Sequence, residues 1–254
     1  MSRVLAPLGI VCTLVGAWEL AARWDLLAGA LNIEPFLIPA PSEIATALWE
    51  DRELLAADAW VTLGEVVLGF GLAAVAGVLF AVPLHLSRPL RQALYPLLVA
   101  SQTVPIIVVA PILVVWFGFG IGPKLAIIAL ICFFPITVNT LDGLRSVDPD
   151  LAKMMRTLDA SRWQLFRRVE APTALPYFFS GAKIAVAVAV IGAVFGEWSG
   201  SDSGLGHLML QASAQLLTAR LFAAVVILSA FAIGLFWLLS ALEHKVAWWG
   251  PRAT

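Results

Sequence analysis

The chain has 254 residues, 61% of them hydrophobic and 13% charged, with 16 Lys and Arg nearly balancing 17 Asp and Glu. A soluble domain carries about a quarter of its residues charged, so this composition excludes an ordinary soluble protein and makes the bilayer the expected solvent. The net charge of −1 carries little information, because in a membrane protein the sidedness of charge matters and the total does not.

A membrane-spanning helix needs about 20 mainly apolar residues to cross roughly 30 Å of hydrocarbon at about 1.5 Å per residue. Six stretches qualify, near residues 4–24, 57–83, 93–117, 122–143, 173–196 and 219–241. Runs such as "LAIIALICFFPI" and "IAVAVAVIGAVF" show no alternation of apolar and polar residues, which excludes a transmembrane barrel. The expected fold is an all-α integral membrane protein, one transmembrane domain over residues 1–254.

The first stretch, "VLAPLGIVCTLVGAWELAARW", follows Arg3 but is too long in its apolar part, and too poor in a small-residue cleavage site, for a secretory signal; it reads as a retained span. In the second, Gly69, Ala73, Gly77 and Ala81 recur every fourth residue, as do Gly181, Ala185, Ala189 and Ala193 in the fifth. Small residues at this spacing let helices approach closely in lipid, either inside one subunit or on a moving or dimer-facing surface. Pro105 and Pro111 interrupt the third span and Pro135 the fourth, as packing kinks or to free carbonyls toward a cavity. Cys12 and Cys132 both fall within expected spans, a context that suits neither a metal cluster nor a disulfide framework.

Charge inside a span costs at least about 2.5–3.5 kcal/mol unless paired or hydrated. Glu65 and Lys183 are the candidates, with Glu197 near the end of the fifth span. Counting about 1.5 Å per residue from the expected ends puts Glu65 and Lys183 at similar depth, compatible with a pair or shared polar cavity and equally with separate placements. Beyond Trp198, "GSDSGLGHLM" is rich in Gly and Ser and reads as an outer loop or a short re-entrant helix. His207 within it stands alone and reads as a packing or surface residue.

Basic residues in short loops stay on the cytoplasmic side. An inside N-terminus places Arg3, Arg88, Arg91, Arg145, Lys153, Arg156, Arg162, Arg167, Arg168, Lys245 and Arg252 there, 11 of the 16 Lys and Arg. Both termini are therefore expected to be cytoplasmic, and so is the loop at residues 145–172, which holds 10 of the 33 charged residues in 28 positions. Asp148 and Pro149 can start a helix there, on which Leu151, Met154, Met155 and Leu158 form one apolar stripe. A second amphipathic piece from Arg162 to Val169 carries Trp163, Leu165 and Phe166. Such a pair of helices either lies on the headgroups or seats its stripe in a groove of a cytoplasmic partner.

The loop resembles the cytoplasmic signature loop of permease subunits of binding-protein-dependent ABC importers. In the alignment Lys153, Met154 and Met155 take the Glu-Ala-Ala places, Asp159 the Gly, Val169 the Ile, and Ala171 with Pro172 the Leu-Pro; Pro172 alone is retained. The fuller phrase "SVDPDLAKMMRTLDASRWQLFRRV" is similar to the form found in the taurine, sulfonate, nitrate and thiamine-precursor branch. "FLIPAPSEI", "VTLGEVVLGF", "LVVWFGFG", "FFPITVNTLDGLRSVDP", "ALPYFFSGAKIA" and "GSDSGLGHLM" follow that branch in order from about Trp18 onward.

The resemblance implies the type I importer permease fold of about six transmembrane helices, in a bacterial inner membrane. Leu151, Lys153, Met154, Met155, Leu158, Asp159, Arg162 and Pro172 would serve ATPase coupling, and Glu65, Lys183 and Glu197 would be pathway or intramembrane polar groups. The implied partners are a second permease subunit in a homodimer, two cytoplasmic ATPase subunits and an extracytoplasmic substrate-binding protein, with the lipid bilayer around them and no nucleic acid. No phosphate loop is present, "GFGIGPKL" lacking its second Gly and its Ser or Thr. ATP and Mg would be bound by the partner, with no cofactor, catalytic residue or metal ligand in this chain. An ion-coupled secondary transporter, the alternative from another class, calls for inverted repeats, and no convincing repeat is present. Within the importer class the "GEW", "GLGHLM" and "FAAVVILSAFAIGLFWLLSALEH" phrases resemble permeases for a thiamine pyrimidine precursor or related heteroaromatic more than those for sulfonate, taurine or nitrate.

Overall fold

Helix is the regular secondary structure throughout the described residues, as lipid demands of a backbone that must satisfy its own hydrogen bonds. The structure, a computed structural model, describes residues 2–24, 26, 29 and 32–249, with side chains from residue 9 onward. Arg252 lies outside them, as does the side chain of Arg3. In chain order the helices are α1 Ser2–Arg23, α2 Pro41–Glu50, α3 Arg52–Leu86, α4 Arg88–Ser101, α5 Ile106–Phe117, α6 Ile121–Arg145, α7 Pro149–Thr157, α8 Arg162–Leu165, α9 Ala171–Trp198, α10 Leu205–Ala214 and α11 Thr218–Val246.

Among the described residues, four helical stretches are long and apolar enough to cross a membrane: α3, α6, Arg162–Trp198 and α11. α4 and α5 make a fifth only if counted together, because they meet at a bend of 99°. The third expected span, 93–117, is therefore not one helix. Pro105, which lacks an amide hydrogen, sits at the start of α5 after a turn in which Gln102 and Thr103 amides bond back to Val99 and Ala100, and the continuous ladder stops there. α1 occupies the first expected span. The 35-residue α3 is about 52 Å long, more than the hydrocarbon needs.

The chain divides into two compact units, residues 1–62 with 202–229 and residues 63–201 with 230–254. In the first, Glu19 of α1 accepts from Ser42 N (3.0 Å) and Oγ (2.8 Å) at the start of α2. Asp51 and Arg220 form a two-pronged ion pair at 2.7 and 2.8 Å. The Gly/Ser-rich segment resolves into a turn followed by α10, whose entry is held by Asp58 accepting from Gly204 N and Thr62 Oγ1 accepting from Leu205 N, each at 2.8 Å.

In the second unit α6 is flanked by α3 and α9, and both small-residue stripes face it. A Cβ added at Gly69 would lie 2.6 Å from Ile128 Cβ, and one at Gly77 2.8 Å from Ile136 Cγ2. On the other flank, a Cβ at Gly181 would lie 2.5 Å from the Pro135 carbonyl oxygen. Ala73, Ala81, Ala185, Ala189 and Ala193 are fully buried on these faces. Both stripes thus serve packing within the subunit, where close backbone approach supplies the dispersion contacts that hold helices together in lipid.

Candidate coupling loop and intramembrane charge sites

The loop folds as two short helices. Asp148 accepts from Asp150 N at 2.8 Å and Pro149 occupies the first turn, so α7 begins where an N-cap and a proline direct it. Lys153 pairs with Asp150 at 2.8 Å on its exposed face. α8 starts at a capping box, Ser161 Oγ accepting from Gln164 N and Gln164 Oε1 from Ser161 N. Of the apolar stripe, Leu151, Met154 and Leu158 (71% exposed) are open to solvent and Met155 is half-buried. Trp163 is also exposed, stacked on Phe166 with ring centroids 5.6 Å apart, while Leu165 turns inward. An apolar face of this size, uncovered by its own chain and rimmed by exposed Arg156, Arg162, Arg167 and Arg168, has the composition of a helix that lies in a groove. Pro172 lies at the far end, in the first turn of α9, where its carbonyl accepts from Trp249 Nε1 at 3.3 Å.

Glu65 and Lys183 are not brought together. Glu65, 3% exposed, is instead paired with Lys124 in the first turn of α6, Nζ to Oε1 2.6 Å, and Lys124 Nζ also donates to Ser201 Oγ at 2.6 Å. The Glu197 carboxyl, fully buried near the end of α9, adjoins that of Glu65. Lys183 pairs with Glu243 of α11 at 2.8 Å, with its ammonium 5.8 Å from the centre of the Phe236 ring. Lys124 and Glu243 escaped the sequence reading. Lys124 falls inside the expected 122–143 span, two residues from its start, where a charge at the edge of the apolar run does not stand out, and Glu243 lies just beyond the expected 219–241 span, beside His244 and Lys245.

The match to known proteins settles the class. A family model described as "Binding-protein-dependent transport system inner membrane component" covers residues 73–248. The chain belongs to this family. It is 38% identical to the formylaminopyrimidine transport permease protein of Halalkalibacterium halodurans over 98% of both chains. With a riboflavin transport system permease protein of Chloroflexus aurantiacus it shares 38% identity over 95% of this chain and 90% of the relative. With a putative aliphatic sulfonates transport permease protein of Bacillus subtilis the identity is 30%, over 90% of this chain and 83% of the other. A structure of the MetNI methionine ABC transporter in inward-facing form superposes with a TM-score of 0.64 at 20% identity, over 79% of this chain and 98% of that one, which shows a shared fold. The protein is an ABC importer permease, a multi-pass inner-membrane transport subunit of the type I fold. Membership implies an ATPase and a binding protein as partners.

Proposed function

We propose that this permease passes a thiamine pyrimidine precursor or a related heteroaromatic across the inner membrane, and that it works as a homodimer on two ATPase subunits that bind the ATP and Mg. The observation carrying the substrate class is the likeness, over 98% of both chains, to a formylaminopyrimidine permease. The charge pairing supports it. Arg23, Lys124, Lys183 and Arg220, the basic groups that fall within the expected spans, are each paired with a carboxylate of the same chain, so none of them is an uncompensated cation held ready for a sulfonate. We place Glu65, Lys183 and Glu197 accordingly as internally paired groups and not as pathway-lining ones. Leu151, Met154, Met155 and Leu158 form the ATPase-docking stripe, Lys153 and Arg162 its charged rim, and Asp159 and Pro172 shape its turn and its end. The loop and both termini face the cytoplasm, following the distribution of Lys and Arg.

The test is ATP hydrolysis by the reconstituted complex with its own binding protein. A formylaminopyrimidine should raise the rate while taurine and nitrate leave it at the basal level. Stimulation by taurine with no response to the pyrimidine would overturn the substrate class and leave the importer assignment intact.

A further inference from the structure

The loop is joined covalently to α6 through residues 146–148 and to α9 through residues 166–170. α3 has no such link, although its Gly69 and Gly77 faces are packed on α6. Movement of the loop reaches α3 only through a contact, and the structure contains a polar one. Between α8 and α9 the helix widens into one π turn, Phe166–Glu170, a feature that occurs frequently at functional sites. Its last residue, Glu170, meets His85 in the final turn of α3, Oε2 to Nε2 2.9 Å. The His85 and Glu170 side chains are 14% and 17% exposed, so water screens the contact only weakly. The other ring nitrogen, Nδ1, is buried with no hydrogen-bond partner, which leaves the imidazole anchored by the bond to Glu170.

Two features beside the contact fit a moving joint. An apolar cavity of about 220 Å³ runs past the π turn, lined by Val82 of α3, Leu144 of α6, Phe166, and Ala171, Ala174 and Phe178, so Phe166 has space to repack. One turn further on, the α6–α9 crossing is tight: a Cβ at Gly143 would lie 2.6 Å from Tyr177 Cβ and 2.9 Å from Ala174 Cα. A loose segment next to a close-packed fulcrum converts a small displacement into a change between discrete packings, because packed cores do not deform continuously.

We propose that the π turn Phe166–Glu170 is the hinge, and the His85–Glu170 contact the tie, through which motion of the coupling loop is passed to α3. His85 and Glu170 are thus positioning residues for energy coupling, in an inference that rests on the docking role of the loop. The complex, with its own ATPase and binding protein in liposomes, is compared as wild type, Glu170→Gln, His85→Phe, the swap His85→Glu with Glu170→His, and Met155→Asp. Each single change at the tie should keep the ATPase subunit bound and lower ligand-dependent stimulation of hydrolysis on the order of fivefold or more, and the swap should restore most of it. Wild-type stimulation in both singles, loss of the ATPase subunit from them, or a swap no better than the singles would each overturn the tie. Met155→Asp separates the two levels. If it detaches the ATPase while Glu170→Gln behaves as wild type, the tie alone falls; if it leaves docking and stimulation intact, the docking role falls and the tie with it.

Discussion

Replacing Lys124 by methionine should strand a buried carboxylate without its partner. Glu65 is 3% and the Lys124 side chain 8% exposed, with Nζ 2.6 Å from Oε1. Removing one partner of such a pair costs about 3–5 kcal/mol, because the survivor keeps its desolvation penalty without its attraction. The neighbouring Glu197 carboxyl adds to the effect, because a second acidic group beside Glu65 offers an unpaired carboxylate no compensation. Adding Glu65→Gln removes the stranded charge while keeping the shape of the side chain, so the double variant should recover most of the loss. Unfolding in detergent micelles, followed by fluorescence of the 10 tryptophans, measures both. A Lys124→Met protein as stable as wild type, or a double variant less stable than the single one, would refute the electrostatic account.

In the loop, Met155→Asp should release the ATPase subunit on co-purification, since a charge must then be desolvated in the groove at a cost of a few kcal/mol, whereas exposed Arg156→Ala should cost under about 1 kcal/mol and retain it. In a cysteine-free background, Arg162→Cys should be protected from an impermeant thiol reagent in intact cells and Asp202→Cys should react; the reverse would overturn the orientation. Gly181→Ala should destabilise by about 1–3 kcal/mol, its Cβ meeting backbone oxygen that cannot retreat, while Gly71→Ala, with nothing within 4 Å, should be neutral or stabilising in the same unfolding assay.

Length and hydropathy are properties of a single segment, and they placed α3, α6, α9 and α11 to within a few residues, apart from α3 starting five residues earlier, at Arg52, and α11 ending five residues later, at Val246. Partners are properties of two segments, and there the sequence was mute. Equal depth left a Glu65–Lys183 pair open beside separate placements, because depth along an axis says nothing about which way a side chain faces, and Lys124, at the very start of the expected 122–143 span, does not stand out as an intramembrane charge. The small-residue stripes were visible; that Ile128 and Ile136 of α6 fill both the Gly69 and Gly77 notches is a fact about α6. His85 and Glu170, 85 residues apart, belong to no spacing rule. The bend of 99° between α4 and α5 was signalled by Pro105 but read as a kink, because the polar turn Ser101–Thr103 before it is short.

Asp159 is where sequence and geometry meet most directly. It stands at the place of the family Gly, and its φ is +55°, in the left-handed region. Its amide bonds to the Arg156 carbonyl and that of Ala160 to the Met155 carbonyl, both at 3.1 Å, the paired bonds of a Schellman C-cap that usually ends on glycine. Aspartate thus keeps the bend between α7 and α8 at a conformational cost of about 1–2 kcal/mol. Asp159→Gly removes that cost but frees the unfolded chain by about 0.4–1 kcal/mol, so the net gain should lie between roughly zero and about 1.5 kcal/mol, with the ATPase still docked. Asp159→Val, branched at Cβ, should lose the turn, misalign Trp163 with the α7 stripe and weaken docking. If Asp159→Gly instead releases the ATPase subunit, the carboxylate itself is what the partner recognises, and the glycine of the family and the aspartate of this chain do different work at one position.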